Sequence, residues 1–83
     1  MTILEEAQAI VYGDREKTYD DPNANFRRIA ARWSTVFGHE VTMQQVALCM
    51  IDVKLARLTH SPLHHDSLVD VVGYAACYER TLS

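Results

Sequence analysis

The chain has 83 residues, 48% of them hydrophobic and 23% charged, with a formal net charge of −3. That length supports one hydrophobic core and no second. The composition excludes a disordered chain. The acidic balance makes nucleic acid an unlikely partner, because phosphate contacts need a basic surface.

Cys49 and Cys77 both sit inside apolar patterns and read as free buried thiols rather than a disulfide, as expected in a reducing compartment. No run reaches the roughly 18 apolar residues of a membrane span. The start "MTILEEAQ" is acidic where a signal peptide would be basic. A cytoplasmic protein is the expectation. A small core with no disulfide framework also leaves a thin margin of stability, so self-association through an apolar face is expected.

Four helices are predicted, and nothing reads as a strand. The first opens on Thr2 as N-cap with Glu5 three residues on, a capping-box pattern. It runs through Ile3, Ala7, Ile10 and Val11 and stops near Gly13. A charged connector, "DREKTYDD", follows. Tyr12, Arg15, Tyr19, Asp20 and Asn25 in and around it suit either a tethered loop or a nucleotide pocket, with arginine for phosphate and tyrosine for stacking.

Asp21 and Pro22 start the second helix, the carboxylate as cap and proline at the first helical position. Phe26, Ile29, Ala30, Trp33, Val36 and Phe37 fall on one face, Arg28 and Arg32 lie off it, and Gly38 is the C-cap. Thr42 and Gln45 form the capping box of the third helix. Val46 to Ile51 is apolar all round, which predicts either the centre of the bundle or a subunit interface. Asp52, Lys54 and Arg57 interrupt the second half.

A helix-turn-helix reading of residues 22 to 59 fails on this stretch, because a groove-facing helix needs polar residues where these are apolar. Pro62 ends the third helix by disfavouring helical geometry at Ser61.

The fourth helix is expected to begin between His64 and Ser67 and to reach about Arg80. Asp66, Asp70, Gly73 or Tyr74, and Cys77 form one stripe, and Leu68, Val72 and Ala75 or Ala76 another. Asp70 thus lies among apolar residues and needs a partner. Lys54 and Arg57, on the antiparallel neighbour, are one choice. A Mg²⁺ or Mn²⁺ ion held with Asp66 is the other, since carboxylates one turn apart suit phosphate chemistry.

Asp66 also suits an N-cap or first-turn position. Gly73 costs about 1 kcal/mol against alanine in a helix, which predicts close helix approach or room for a ligand beside Tyr74. His60, His64 and His65 raise a zinc site, but Pro62 spoils the spacing and no nearby cysteine completes it.

The segments "GDREKTYDDPNANFRRIAARW" and "ALCMIDVKLARLTHSPLHHDSLVDVVGYAAC" resemble a family of small proteins frequent in bacteriophages and prophages, with no established function. The similarity spans nearly the whole chain. If it holds, the protein belongs in the cytoplasm of an infected host cell. A more distant likeness is to the MazG-like all-α nucleoside triphosphate pyrophosphohydrolases and to phage nucleotide-modification proteins.

That likeness implies a dimeric helical bundle with Mg²⁺ between an E-E-x-x-E helix and an E-x-x-D helix. Here Asp52, Lys54 and Arg57 stand where glutamates would be expected. Asp66 and Asp70 are four apart, and Ala9 follows Glu5 and Glu6 where the third glutamate belongs. Any site of that type is reduced, or completed across a dimer.

The expectation is therefore a single helical domain over residues 1 to 83, a compact four-helix bundle forming a homo-oligomer. The favoured reading is a nucleotide-related role, metal-assisted nucleotide binding or hydrolysis, in which Asp66 and Asp70 hold metal while Lys54, Arg57, Tyr19, Asn25 and Tyr74 bind the ligand. In the alternative, the same charged residues lock helix register in a non-enzymatic homodimer that acts as an accessory or regulatory protein-binding module.

Overall fold

The computed structural model describes residues 1–13 and 21–82. Its elements are α1 (Ile3–Tyr12), α2 (Pro22–Phe37), α3 (Met43–His60) and α4 (His65–Thr81). Every regular element among the described residues is a helix.

Local chemistry starts and stops each of them. Thr2 Oγ1 accepts from the Glu5 amide while the Glu5 carboxylate accepts from the Thr2 amide, at 3.2 and 3.0 Å. Thr42 and Gln45 repeat the arrangement at α3. Each box satisfies two backbone donors that would otherwise lack partners. At α2, Asp21 Oδ1 accepts from the Asn23 amide with Pro22 at the first position.

Gly38 ends α2 at φ 75°, a left-handed conformation open to glycine at little steric cost. Ser34 then ties α2 to the next connection, its hydroxyl donating to Ala30 O and accepting from the Val41 amide. α3 stops before Pro62 as expected, with Ser61 at φ −128° and ψ 79°.

α4 is the centre of the fold. It packs on all three other helices, most extensively on α3, then on α1, and least on α2, which lies mainly along α3. The core joins Val11, Phe26, Ala30, Val46, Ala47 and Cys77, bordered by Ile29, Trp33 and Tyr74. The molecule measures 40 × 32 × 21 Å, so its thin dimension is about two helix diameters.

Several expected burials are corrected by this arrangement. The all-apolar run of α3 is enclosed on part of its circumference, one of its two expected placements, the bundle centre, being only partly met: Val46 and Ala47 are buried, but Leu48 and Cys49 face outward. Neither cysteine forms a disulfide, and only Cys77 is buried. Val36 and Phe37 share the apolar face of α2 but remain 68% and 62% exposed.

In α4, the buried positions are Ser67, Val69, Gly73, Cys77 and Thr81, whereas Leu68 and Ala75 of the second stripe point out. The cause is shared. A helix in a two-layer arrangement meets neighbours over part of its circumference, so an apolar stripe longer or wider than that contact stays in water.

Candidate functional site

The charged residues singled out in the sequence gather along the α3–α4 seam. Lys54 Nζ lies 3.1 Å from Asp70 Oδ2, with the two side chains 28% and 35% exposed. Asp70 is therefore half-buried and paired with a cation from the neighbouring helix. Such a pair in partial contact with water contributes at most about 1 kcal/mol.

Arg57 does not join it. Its Nη2 lies 3.5 Å from His64 Nε2. His64 is the N-cap of α4, where its Nδ1 accepts from the Ser67 amide at 3.2 Å and lies 2.7 Å from Ser67 Oγ. An accepting Nδ1 puts the proton of a neutral ring on Nε2. Arg57 and His64 Nε2 then present donor to donor, so their approach is a contact and not a hydrogen bond.

Asp66, exposed in the first turn of α4, sits one turn before Asp70 on the same helix. No group of three or more His, Cys, Asp or Glu that could hold a metal ion occurs among the described residues. The three histidines diverge as the proline spacing implies: His64 caps α4, His65 pairs with Glu6 of α1, and His60 stands exposed at the end of α3.

Tyr74 is half-buried against Phe26, ring centroids 6.3 Å apart, and so belongs to the edge of the core. Asn25, next to Phe26 in α2, is exposed. Tyr19, Arg15 and Asp20 lie outside the described residues. The structure thus brings Lys54 to Asp70 and Arg57 to His64.

Gly73 is buried, and a Cβ added there would meet Val11 Cγ2 of α1 at 3.5 Å, an ordinary contact distance. α4 passes α1 at this position with room for a methyl group.

Other polar residues that fasten α4 were not apparent in the sequence. Gln44 Nε2 donates to Thr81 O at 3.1 Å, and Asn23 Nδ2 to Arg80 O at 3.4 Å. Arg80 approaches Asp21 at 3.5 Å and stacks its guanidinium 5.1 Å from the Tyr12 ring centre. The polar contacts among these links join residues 37 to 59 positions apart, and Tyr12 lies further still from Arg80, so no local spacing announces them. Together with His65–Glu6 and Lys54–Asp70, they tie α4 to each of the other helices. The same stretch that carries the charged motif is the mechanical centre of the fold.

No helix among the described residues is long and apolar enough to cross a membrane. No solved structure matches the chain. Two mycobacteriophage proteins are similar to it, each named Gene 55 protein. The one from phage D29 is 43% identical over 79 residues, covering 95% of this chain and 52% of its own length. That from phage L5 is 40% identical over 81 residues, covering 96% of this chain and 52% of its own. The chain thus spans about half the length of these curated relatives. Residues 2–82 match the family model of a domain of unknown function, DUF6378, and the chain belongs to that family.

Proposed function

We propose that the protein is a non-enzymatic helical module that works by binding protein, as an accessory or regulatory component of a phage. The observation that carries this reading is the engagement of Asp70 by Lys54 at 3.1 Å on the helix that holds the fold together. A carboxylate neutralised by a neighbouring lysine is a weak start for a divalent metal site, and the third protein ligand is missing among the described residues. Large apolar side chains left in water on α2 and α3 are what a binding module would cover.

A second reading, metal-assisted nucleotide binding or hydrolysis, draws on Asp66 and Asp70 standing one turn apart opposite Lys54 and Arg57. In it, Mg²⁺ or Mn²⁺ would displace Lys54 from Asp70, and the freed lysine would meet phosphate.

The two readings part in a thermal-shift experiment on the wild type and Asp70→Asn, with and without Mn²⁺ and a mixture of nucleoside triphosphates. A ligand that binds only the folded state raises the midpoint. The binding-module reading expects no ligand effect on either protein, and a variant lower by roughly 2–6 °C from the lost ion pair. A rise of several degrees in the wild type that is absent in the variant would transfer the assignment to nucleotide chemistry.

A further inference from the structure

α1 is held differently from the other helices. α2, α3 and α4 each pack against both of the others, whereas α1 packs on α4 and only marginally on α2 and α3. Among the buried residues that join into the core, Val11 alone comes from α1; Phe26, Ala30, Val46, Ala47 and Cys77 belong to the other three. α2 and α3 are also tied to the backbone of α4, through Asn23 to Arg80 O and Gln44 to Thr81 O.

Among the described residues, the polar links of α1 to α4 run instead between partly exposed side chains: Glu6 to His65, and Tyr12 beneath the Arg80 guanidinium. Links of that kind contribute little against water. Both ends of α1 are satisfied from within, by the Thr2–Glu5 box and by the Gly13 amide, which donates to Ala9 O at 3.0 Å. Departure of α1 therefore orphans no hydrogen-bonded backbone group of the other helices.

The surface beneath α1 is one line of α4. Glu6 meets His65 and Val11 lies over Gly73, so the two helices run in the same direction. Ala7, one turn before Val11, falls toward Val69, one turn before Gly73. Ala7 and Val11 are the buried residues of α1. A helix of 10 residues is too short to hold its own conformation in water, so leaving α4 and unwinding are one event.

We propose that α1 is a detachable strap, which leaves α4 and unwinds as a unit while α2, α3 and α4 stay folded, uncovering the Val69–Gly73 line. This opening goes beyond the protein-binding reading and does not require it.

Native-state hydrogen exchange on the wild type and Val46→Ala tests it, under conditions where reclosing outpaces exchange. Val46 packs inside the part that stays folded. Its truncation makes global unfolding easier and leaves the release of α1 as costly as before. The amides of Val46 to Ile51 are expected to exchange at least about tenfold faster in the variant. Those of Ala7 to Tyr12 are expected to stay within about twofold of the wild type. In the wild type the α1 amides are expected to share one dependence on denaturant, shallower than that of α3, because release exposes less surface than unfolding.

Equal acceleration of both helices overturns the strap, since α1 would then open only with the whole fold. Exchange that slows residue by residue from the N-terminus, with no denaturant dependence, is end fraying and overturns release as a unit. If Val46→Ala does not fold, the wild-type slopes decide: the same slope in α1 and α3 overturns the proposal, and a shared shallower one in α1 upholds it.

Discussion

Asp70 has an ordinary structural partner in Lys54, whereas Gly73 occupies a position that alanine would also fit. Gly73 lies where α4 passes α1, but a methyl group there would sit 3.5 Å from Val11 Cγ2, without overlap. Its backbone is helical, so glycine carries the entropic cost of a flexible residue without needing that freedom. Gly73→Ala is therefore expected to stabilise the protein by about 0.5–1 kcal/mol, raising the thermal midpoint by roughly 2–8 °C. A fall in the midpoint, read by circular dichroism, would mean that the space beside Val11 is needed for something other than packing. The ion-pair candidate Lys54 was legible because the helix break at Pro62 makes α3 and α4 antiparallel neighbours. Which cation reached Asp70 was not, since Lys54 and Arg57 differ by less than one turn and only the crossing of the two helices separates them.

Among the elements, helix starts were the most legible feature, because each depends on side chains within three residues of the backbone groups they satisfy. The boxes at Thr2–Glu5 and Thr42–Gln45 form as their spacing implies. The cap of α4 was less so: His64 performs it, and Asp66, the residue type more often found there, lies in the first turn. Glu5 has a consequence that can be measured. Its hydrogen bonds from the Thr2 backbone and side chain hold its carboxyl below the ordinary glutamate value. A carboxyl group lowered in the folded state adds stability above its unfolded value, and that stability fades as the pH falls through the folded one. Glu5→Gln keeps an acceptor for the Thr2 amide but cannot titrate. The wild type is accordingly expected to be the more stable at neutral pH, with the difference closing as the pH drops through the glutamate range. Parallel melting curves of the two proteins across that range would refute the role if their gap stayed constant.

The whole molecule rests on a small core in which few residues are fully enclosed. Val46 is completely buried between helices, whereas Val36, with the same side chain, is 68% exposed. Val46→Ala is expected to cost about 2 kcal/mol and lower the midpoint by roughly 8–16 °C. Val36→Ala is expected to change stability by no more than about 0.5 kcal/mol. Equal effects at the two positions would show that the end of α2 is covered in solution.

By itself, the sequence determined that the chain is helical, where the helices begin and end, and that Asp70 needs a partner. Those properties follow from period, capping chemistry and proline, all acting over a turn or two. Tertiary structure alone decided that α4 and not α3 is central, and that Leu48, Cys49, Val36 and Phe37 face water. It also decided that Asn23, Gln44 and Glu6 fasten α4. An apolar residue carries no information on which neighbour will cover it. That depends on how helices distant in sequence cross, and on how far each extends past the helix it packs against.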